Sequence, residues 1–202
     1  MNVSQAVRCV DFPCQDIEPA RHVVPDIDID PERVRLVMIS ESAPADAADW
    51  YYARGESLFA QTTVLAFQDA GVAVQSLDDV LDRGVYITPA VKCAKKGYTI
   101  KAATVRNCSQ LLEQEIALFP NVAVYLLMGD VAIRAMNYVS KRQTGQRVIP
   151  AGSTYKIRGG EYTYGQARAY PSYLQAGKSF FIEKSKRRMI AEDIASAMAL
   201  MD

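Results

Sequence analysis

The sequence predicts an α/β protein: a three-layer α/β/α arrangement around a roughly four-stranded, mostly parallel central sheet. Short apolar runs of strand length alternate with segments whose apolar residues recur every three or four positions. Several of those runs are mainly apolar rather than alternating, as in strands covered on both faces by helices. A chain of 202 residues, half of them hydrophobic, is enough for one sizeable core.

Residues 1–33 are rich in proline and acid. Pro13, Pro19, Pro25 and Pro31 break any regular helix, so this stretch reads as an extended arm over a domain spanning 34–202. The first strand falls at 34–39 and ends in the polar loop Ser40-Glu41-Ser42-Ala43-Pro44, at the carboxyl edge where open α/β sheets bind ligands. A helix over 56–70 follows, with Leu58, Thr62, Leu65 and Ala66 at helical spacing and Gly71 placed to end it in a left-handed cap. A second strand covers 84–88, succeeded by the basic stretch Lys92-Cys93-Ala94-Lys95-Lys96. Next comes a helix carrying Val105, Cys108, Leu112, Ile116 and Phe119 on one face, closed by Pro120. The third strand, 122–127, runs into Gly129-Asp130 and another helix. A fourth, 166–170, ends at Pro171-Ser172-Tyr173-Leu174, and the chain closes with a helix presenting Ile190, Ile194, Met198 and Met201. There is no internal repeat and no low-complexity tract.

Lys+Arg and Asp+Glu both number 23, so no global field draws the chain to phosphate and any nucleic-acid contact needs a local patch. The first thirty residues lack the apolar core of a signal peptide, and no segment approaches the roughly 18-residue run of a membrane helix. A cytosolic protein with no membrane partner is the expectation. Reducing conditions there disfavour disulfides, which leaves Cys9, Cys14, Cys93 and Cys108 as buried thiols or as ligands to a soft metal centre. His22 is the only histidine and sits in the arm, so nucleophilic Ser/His or Cys/His catalysis is poorly supported.

Four stretches, in order, carry a family resemblance. Ile39-Ser40-Glu41-Ser42-Ala43-Pro44 is similar to a Gly-Glu-Gly/Ala-Pro-Gly loop, keeping Glu41 and Pro44 but neither glycine. Val85-Tyr86-Ile87-Thr88-Pro89-Ala90-Val91-Lys92-Cys93 resembles Tyr-Ile-Thr-Asn-Val-Val-Lys-Cys, with Pro89 in place of the asparagine. The helix from Cys108 to Pro120 resembles Cys-x-Pro-x-Leu-x-x-Gln-Ile-x-Leu, and Ala169-Tyr170-Pro171-Ser172-Tyr173-Leu174 resembles Tyr-His-Pro-Ser-Tyr-Leu with Tyr170 in place of histidine. Together they resemble the uracil-DNA glycosylase superfamily, nearest to its iron-sulfur members, known as family 4.

The resemblance implies a protein that hydrolyses the N-glycosidic bond of a damaged or deaminated base in DNA, expected to act as a monomer. Such chemistry builds positive charge on the sugar and negative charge on the leaving base, so an anion or held water must face one and hydrogen-bond donors the other. The base must also leave the stack. Glu41 is the candidate for the anion, and Tyr170, a phenol still protonated at neutral pH, for the donor. Tyr51, Ser42, Thr88 and Pro89 are expected around the base; Pro89 has no group to read a pyrimidine edge, so that task passes to Thr88 or to backbone, or the substrate differs. Lys92, Ser172 and Tyr173 are expected on phosphate and Leu174 as a wedge in the duplex. Lys95, Lys96, Lys184, Lys186, Arg187 and Arg188 would form a track only if they share that surface.

Cys93 and Cys108 lie inside two matching stretches, and Cys9 with Cys14 would complete four ligands for a 4Fe-4S cluster, which would tether an arm with little apolar content of its own. The spacing of Cys9 and Cys14 is wider than the family's Cys-x-x-Cys, so zinc or no metal remain alternatives. Two other functions stay open: a catalytically silent module that binds DNA or a partner, and a hydrolase of free nucleosides or nucleotides.

Overall fold

A computed structural model describes residues 1–201. It contains α1 (Val3–Ala6), β1 (Ile17–His22), β2 (Leu36–Ala43), α2 (Leu58–Asp69), α3 (Leu77–Asp82), β3 (Val85–Lys95), α4 (Ala102–Ile116) and β4 (Val124–Met128). These are followed by α5 (Asp130–Thr144), α6 (Thr154–Ile157), β5 (Tyr162–Tyr164), β6 (Ala167–Ser172), α7 (Ser179–Ile182) and α8 (Lys184–Met198).

The sheet has six strands in the order β1-β3-β2-β4-β6-β5, not four. The four expected strands form its parallel centre, β3-β2-β4-β6, and the two additions are antiparallel edges. Both were invisible to periodicity: β5 is three residues long, and β1, with residues 18–21 exposed, has no apolar alternation. Helices cover both faces. Alternate residues of β2 divide between two cores, Val37 and Ile39 packing with α4 and α5, and Leu36 and Met38 with α2, α3 and α8.

The arm is therefore part of the layered structure, and its grip is apolar. Val3, Val7 and Ile17 are buried in the α4/α5 core, which corrects the expectation that this segment has too little apolar content to dock. Its Asp16 also caps α4, whose Lys101 N-cap makes no side-chain bond of its own. Despite a desolvation that opposes it, hydrogen bonds from the Lys101 amide and the Thr104 hydroxyl hold the Asp16 carboxyl below its ordinary value.

β3 runs past Thr88 to Lys95, through Pro89, where a loop was expected. Proline is tolerated there because β1 pairs only with residues 93–95, so no hydrogen-bond partner stands opposite the missing N–H on that side. β2 likewise continues to Ala43, with Ser40 opposite Pro89.

One polar cluster is sealed inside this framework. The Lys92 ammonium and the Glu115 carboxylate form an ion pair between β3 and α4, both fully buried. Tyr86 and Thr88 donate to Glu115 Oε1 at 2.6 and 2.8 Å, and Lys92 Nζ also donates to Thr88 Oγ1 and to the Pro89 carbonyl at 2.7 and 2.8 Å. Every charge in the cluster has partners, the condition for burying ions without a large penalty. Lys92→Met should therefore cost about 3–5 kcal/mol by stranding the carboxylate, while Lys92→Met/Glu115→Leu recovers most of it in urea denaturation. A single variant within about 1 kcal/mol of wild type would mean that the pair is not a structural lock.

Candidate active site

Chain order locates the site. β2 connects to β3 on one side, whereas β4 connects to β6 on the other, so the sheet's topological switch point lies between the carboxyl ends of β2 and β4. Glu41 is near the end of β2, and Gly129-Asp130 leads from β4 into α5. They meet in a cleft of about 370 Å³, walled further by Ser153, Tyr155, Tyr173 and Leu174, with Lys186 at its rim.

Glu41 is held against the first turn of α5. Gly129, with φ of 97°, lets the backbone turn tightly there, and a Cβ on it would lie 2.5 Å from Glu41 Oε1. Burial raises the Glu41 carboxyl above its ordinary value, and Asp130 adds to the rise. Lys95, the Val131 amide and Arg134 act against it. The outcome is a half-buried carboxylate with a helix N-terminus and two cations around it, able to orient a water or to face a developing positive charge. One carboxylate oxygen can face the Val131 amide of that turn while the other faces the cleft.

The expected residues divide. Glu41, Tyr173 and Leu174 line the cleft together. Ser42 is half-buried on β2, but strand alternation turns it to the opposite face from Glu41. Tyr170 does not reach the cleft. It alternates with Ala169 and so packs on the α8 side, under the Arg168 guanidinium at 5.2 Å. Tyr51 is 1% exposed and wedged between Trp50 and Phe59, with ring centroids at 5.4 and 5.1 Å, so it is core rather than an open stacking surface. Burial pushes its phenol up to about 12.

Thr88, Pro89 and Lys92 are buried too, Thr88 and Lys92 bonded within the Glu115 cluster to which Pro89 lends its carbonyl, so none presents a group to a base or a phosphate. Ser172 is buried as well. Its hydroxyl donates at 2.6 Å to Asp193, which also binds Arg158 at 2.7 Å, and this triad holds the end of β6 to α8 instead of a phosphate. Of the expected track, Lys186 is paired with Glu183, Arg187 with Asp69 and Arg188 with Glu192.

Asp130 and Tyr155 were missed. A strand-to-helix junction after the third strand was legible, and it marked Asp130. Tyr155, 72% exposed beside the cleft, had no periodic or motif signal.

The four cysteines, remote in sequence, line one cavity of about 420 Å³ between the arm, β3 and α4, with His22 and Phe12 beside them. His22 Nδ1 is 3.5 Å from Cys93 Sγ, and the Lys92 amide is 3.2 Å from Cys108 Sγ. Burial first, then the neighbouring thiols, pushes Cys93 up to about 12. Burial also takes Cys108 to about 11. Among the described residues no three His, Cys, Asp or Glu converge on a point that a single ion could occupy. All four thiols nonetheless line one cavity, and four thiolates are the donor set that a 4Fe-4S cluster takes.

A doubly wound α/β fold with a carboxylate at its switch point defines the general class. Residues 27–192 match the family described as the uracil DNA glycosylase superfamily, and this chain belongs to it. It is also 28% identical over 101 residues to the type-5 uracil-DNA glycosylase of Thermus thermophilus, a match covering 50% of this chain and 46% of that protein. The matched stretch thus spans about half the length of that relative.

The raised carboxyl of Glu41 has a consequence for stability. A buried acid whose folded pKa lies above its unfolded one loses stability as pH rises from the unfolded value through the folded one. Glu41→Gln should therefore be as stable as wild type near pH 4 and more stable at pH 7, read as Tm at both pH values. A variant less stable at pH 7 would show that capping of α5 outweighs the desolvation.

Proposed function

We propose that this protein is a monofunctional glycosylase that hydrolyses the N-glycosidic bond of a deaminated or otherwise damaged base in DNA. The observation that carries the reading is Glu41, half-buried at the switch point against the N-terminus of α5. In that position a carboxylate orients the attacking water and offsets charge on the sugar. Tyr155, Tyr173 and Leu174 provide the apolar and aromatic walls that an unstacked nucleotide needs. Membership of the superfamily and the similarity to a type-5 uracil-DNA glycosylase point the same way. With Pro89 and Thr88 packed away, no side chain from that segment selects uracil, which favours a lesion other than uracil or one read through backbone.

Duplex and single-stranded oligonucleotides carrying uracil, hypoxanthine or xanthine, assayed for abasic sites, test the proposal directly. At least one should be cut, Glu41→Gln should lower the rate by about 10²–10⁴-fold, and the acid limb of kcat/KM should lie above the ordinary glutamate range. No cutting of any lesion, with DNA still bound, would establish the second reading: a silent module of the same fold. That alternative is favoured by the packing of Tyr51 and Tyr170 away from the cleft. Cleavage of free nucleosides alone would favour the third.

A 4Fe-4S cluster held by Cys9, Cys14, Cys93 and Cys108 belongs to the same proposal. Bound there, it would supply a rigid cross-link between the arm, β3 and α4, while the chain's own residues carry out the hydrolysis. Protein purified anaerobically should be brown with about four iron atoms per chain. Cys93→Ala should remove the colour and lower Tm, and an iron-free, colourless wild type would defeat this part of the proposal.

A further inference from the structure

A second concavity adjoins the Glu41 cleft and is built from one face of α5. It has a volume of about 530 Å³ and is lined by Asp130, Arg134, Asn137, Tyr138, Lys141 and Arg147, with residues 150–152 as its far wall. The two clefts share Asp130, and residues 150–152 continue without a break into Ser153, Thr154 and Tyr155 of the first. They form one groove that starts at Glu41 and runs up α5. From Asp130 to Lys141 it is about 16 Å long at 1.5 Å per residue.

The charge in this groove is unbalanced. Arg134, Lys141 and Arg147 are exposed, and among the described residues none forms an ion pair, against the carboxylates of Asp130 and, at the groove's mouth beside Arg134, Glu41. Arg142, on the same helix but outside the groove, is by contrast bound by Glu113. A chain with equal numbers of acidic and basic residues thus leaves three free cations in one concave channel leading to its candidate active site. The channel is also preformed. Asn137 both donates to the Ile149 carbonyl and accepts from its amide at 2.9 Å, and Ile149 is buried, so the far wall is pinned to α5. Tyr138 is flanked by Arg106, whose guanidinium is 5.3 Å from the ring centroid.

We infer that this channel seats the phosphodiester backbone of the DNA strand whose nucleotide enters the Glu41 cleft, with Lys141 and Arg147 on phosphates and Arg134 nearest the reacting sugar. The inference rests on the glycosylase reading for its choice of partner. About 16 Å of groove accommodates roughly two to three phosphates, which along a strand's own backbone lie about 6–7 Å apart, twice the 3.4 Å rise per phosphate on the duplex axis. Solvated lysines and arginines on a convex helix face would give the same count of charges, but neither the concavity, nor the pinned wall, nor continuity with a carboxylate-bearing cleft.

The test is binding of a fluorescein-labelled, lesion-free duplex, read by anisotropy at several salt concentrations. The double variant Lys141→Ala/Arg147→Ala should lower the slope of log K against log salt by about 1.8, that is about 0.9 for each phosphate no longer neutralised. Arg21→Ala, exposed on the edge strand β1 and outside the groove, should leave the slope unchanged. Both substitutions are at exposed side chains, and equal Tm values will show that the fold is intact. If the double variant keeps the wild-type slope while the wild type still binds DNA and excises a base, the groove assignment fails and the glycosylase reading stands. If the wild type shows no salt-dependent binding to DNA, the groove assignment and the DNA substrate both fail. Excision failing while the double variant still loses slope leaves the groove assigned and overturns the enzymatic reading alone.

Discussion

The buried ion pair of Lys92 and Glu115 constrains most of what surrounds it. Taking both ions out of water is costly, and the arrangement is tolerable only because Tyr86, Thr88 and the Pro89 carbonyl complete their hydrogen bonds. Those partners come from positions 86, 88 and 89 of β3, so the strand must run regularly through Pro89, and α4 must lie at one height against it. That height sets Cys108 beside the Lys92 amide and Cys93 on the adjoining strand segment. The edge pairing of β1 at 93–95 and the capping of α4 by Asp16 then bring the arm and its two cysteines to the same cavity.

The opposite side of β2 is governed by chain order rather than by charge burial. Because connections leave β2 and β4 in opposite directions, no crossover covers their carboxyl ends, and the space between them stays open. Gly129 lets the chain pass into α5 close enough for Glu41 to lie against the helix N-terminus. Burial raises the carboxyl while the helix amide and two cations restrain the rise, and such a balance leaves a carboxylate responsive to what enters the cleft. The groove along α5 extends this region by local charge, which a net balance of zero conceals.

The candidate site was only partly legible because strand parity, not proximity in sequence, decides what a side chain faces. Glu41 and Ser42 are neighbours on opposite faces, and the same alternation sends Tyr170 toward α8 while Ala169 faces α5. Lys92 and Lys95 read alike as members of a basic stretch, yet one ammonium is sealed in the core and the other lies near Glu41. Tyr51 fills space in the core, although an aromatic beside a loop reads equally well as a wall left open for a base.

By itself the sequence determined the parallel four-stranded centre, the positions of the long helices α2, α4, α5 and α8, the left-handed Gly71 and the place of Glu41 at the carboxyl edge of the sheet. Apolar periodicity, turn residues and motif order are local properties and survive in one dimension. The two edge strands, the docking of the arm, the gathering of four cysteines, the burial of Lys92 and Ser172, and the cationic groove were decided only by tertiary structure. Each depends on which distant segments share a surface, and that is set by chain crossing and by the desolvation of groups whose partners lie far away in the sequence.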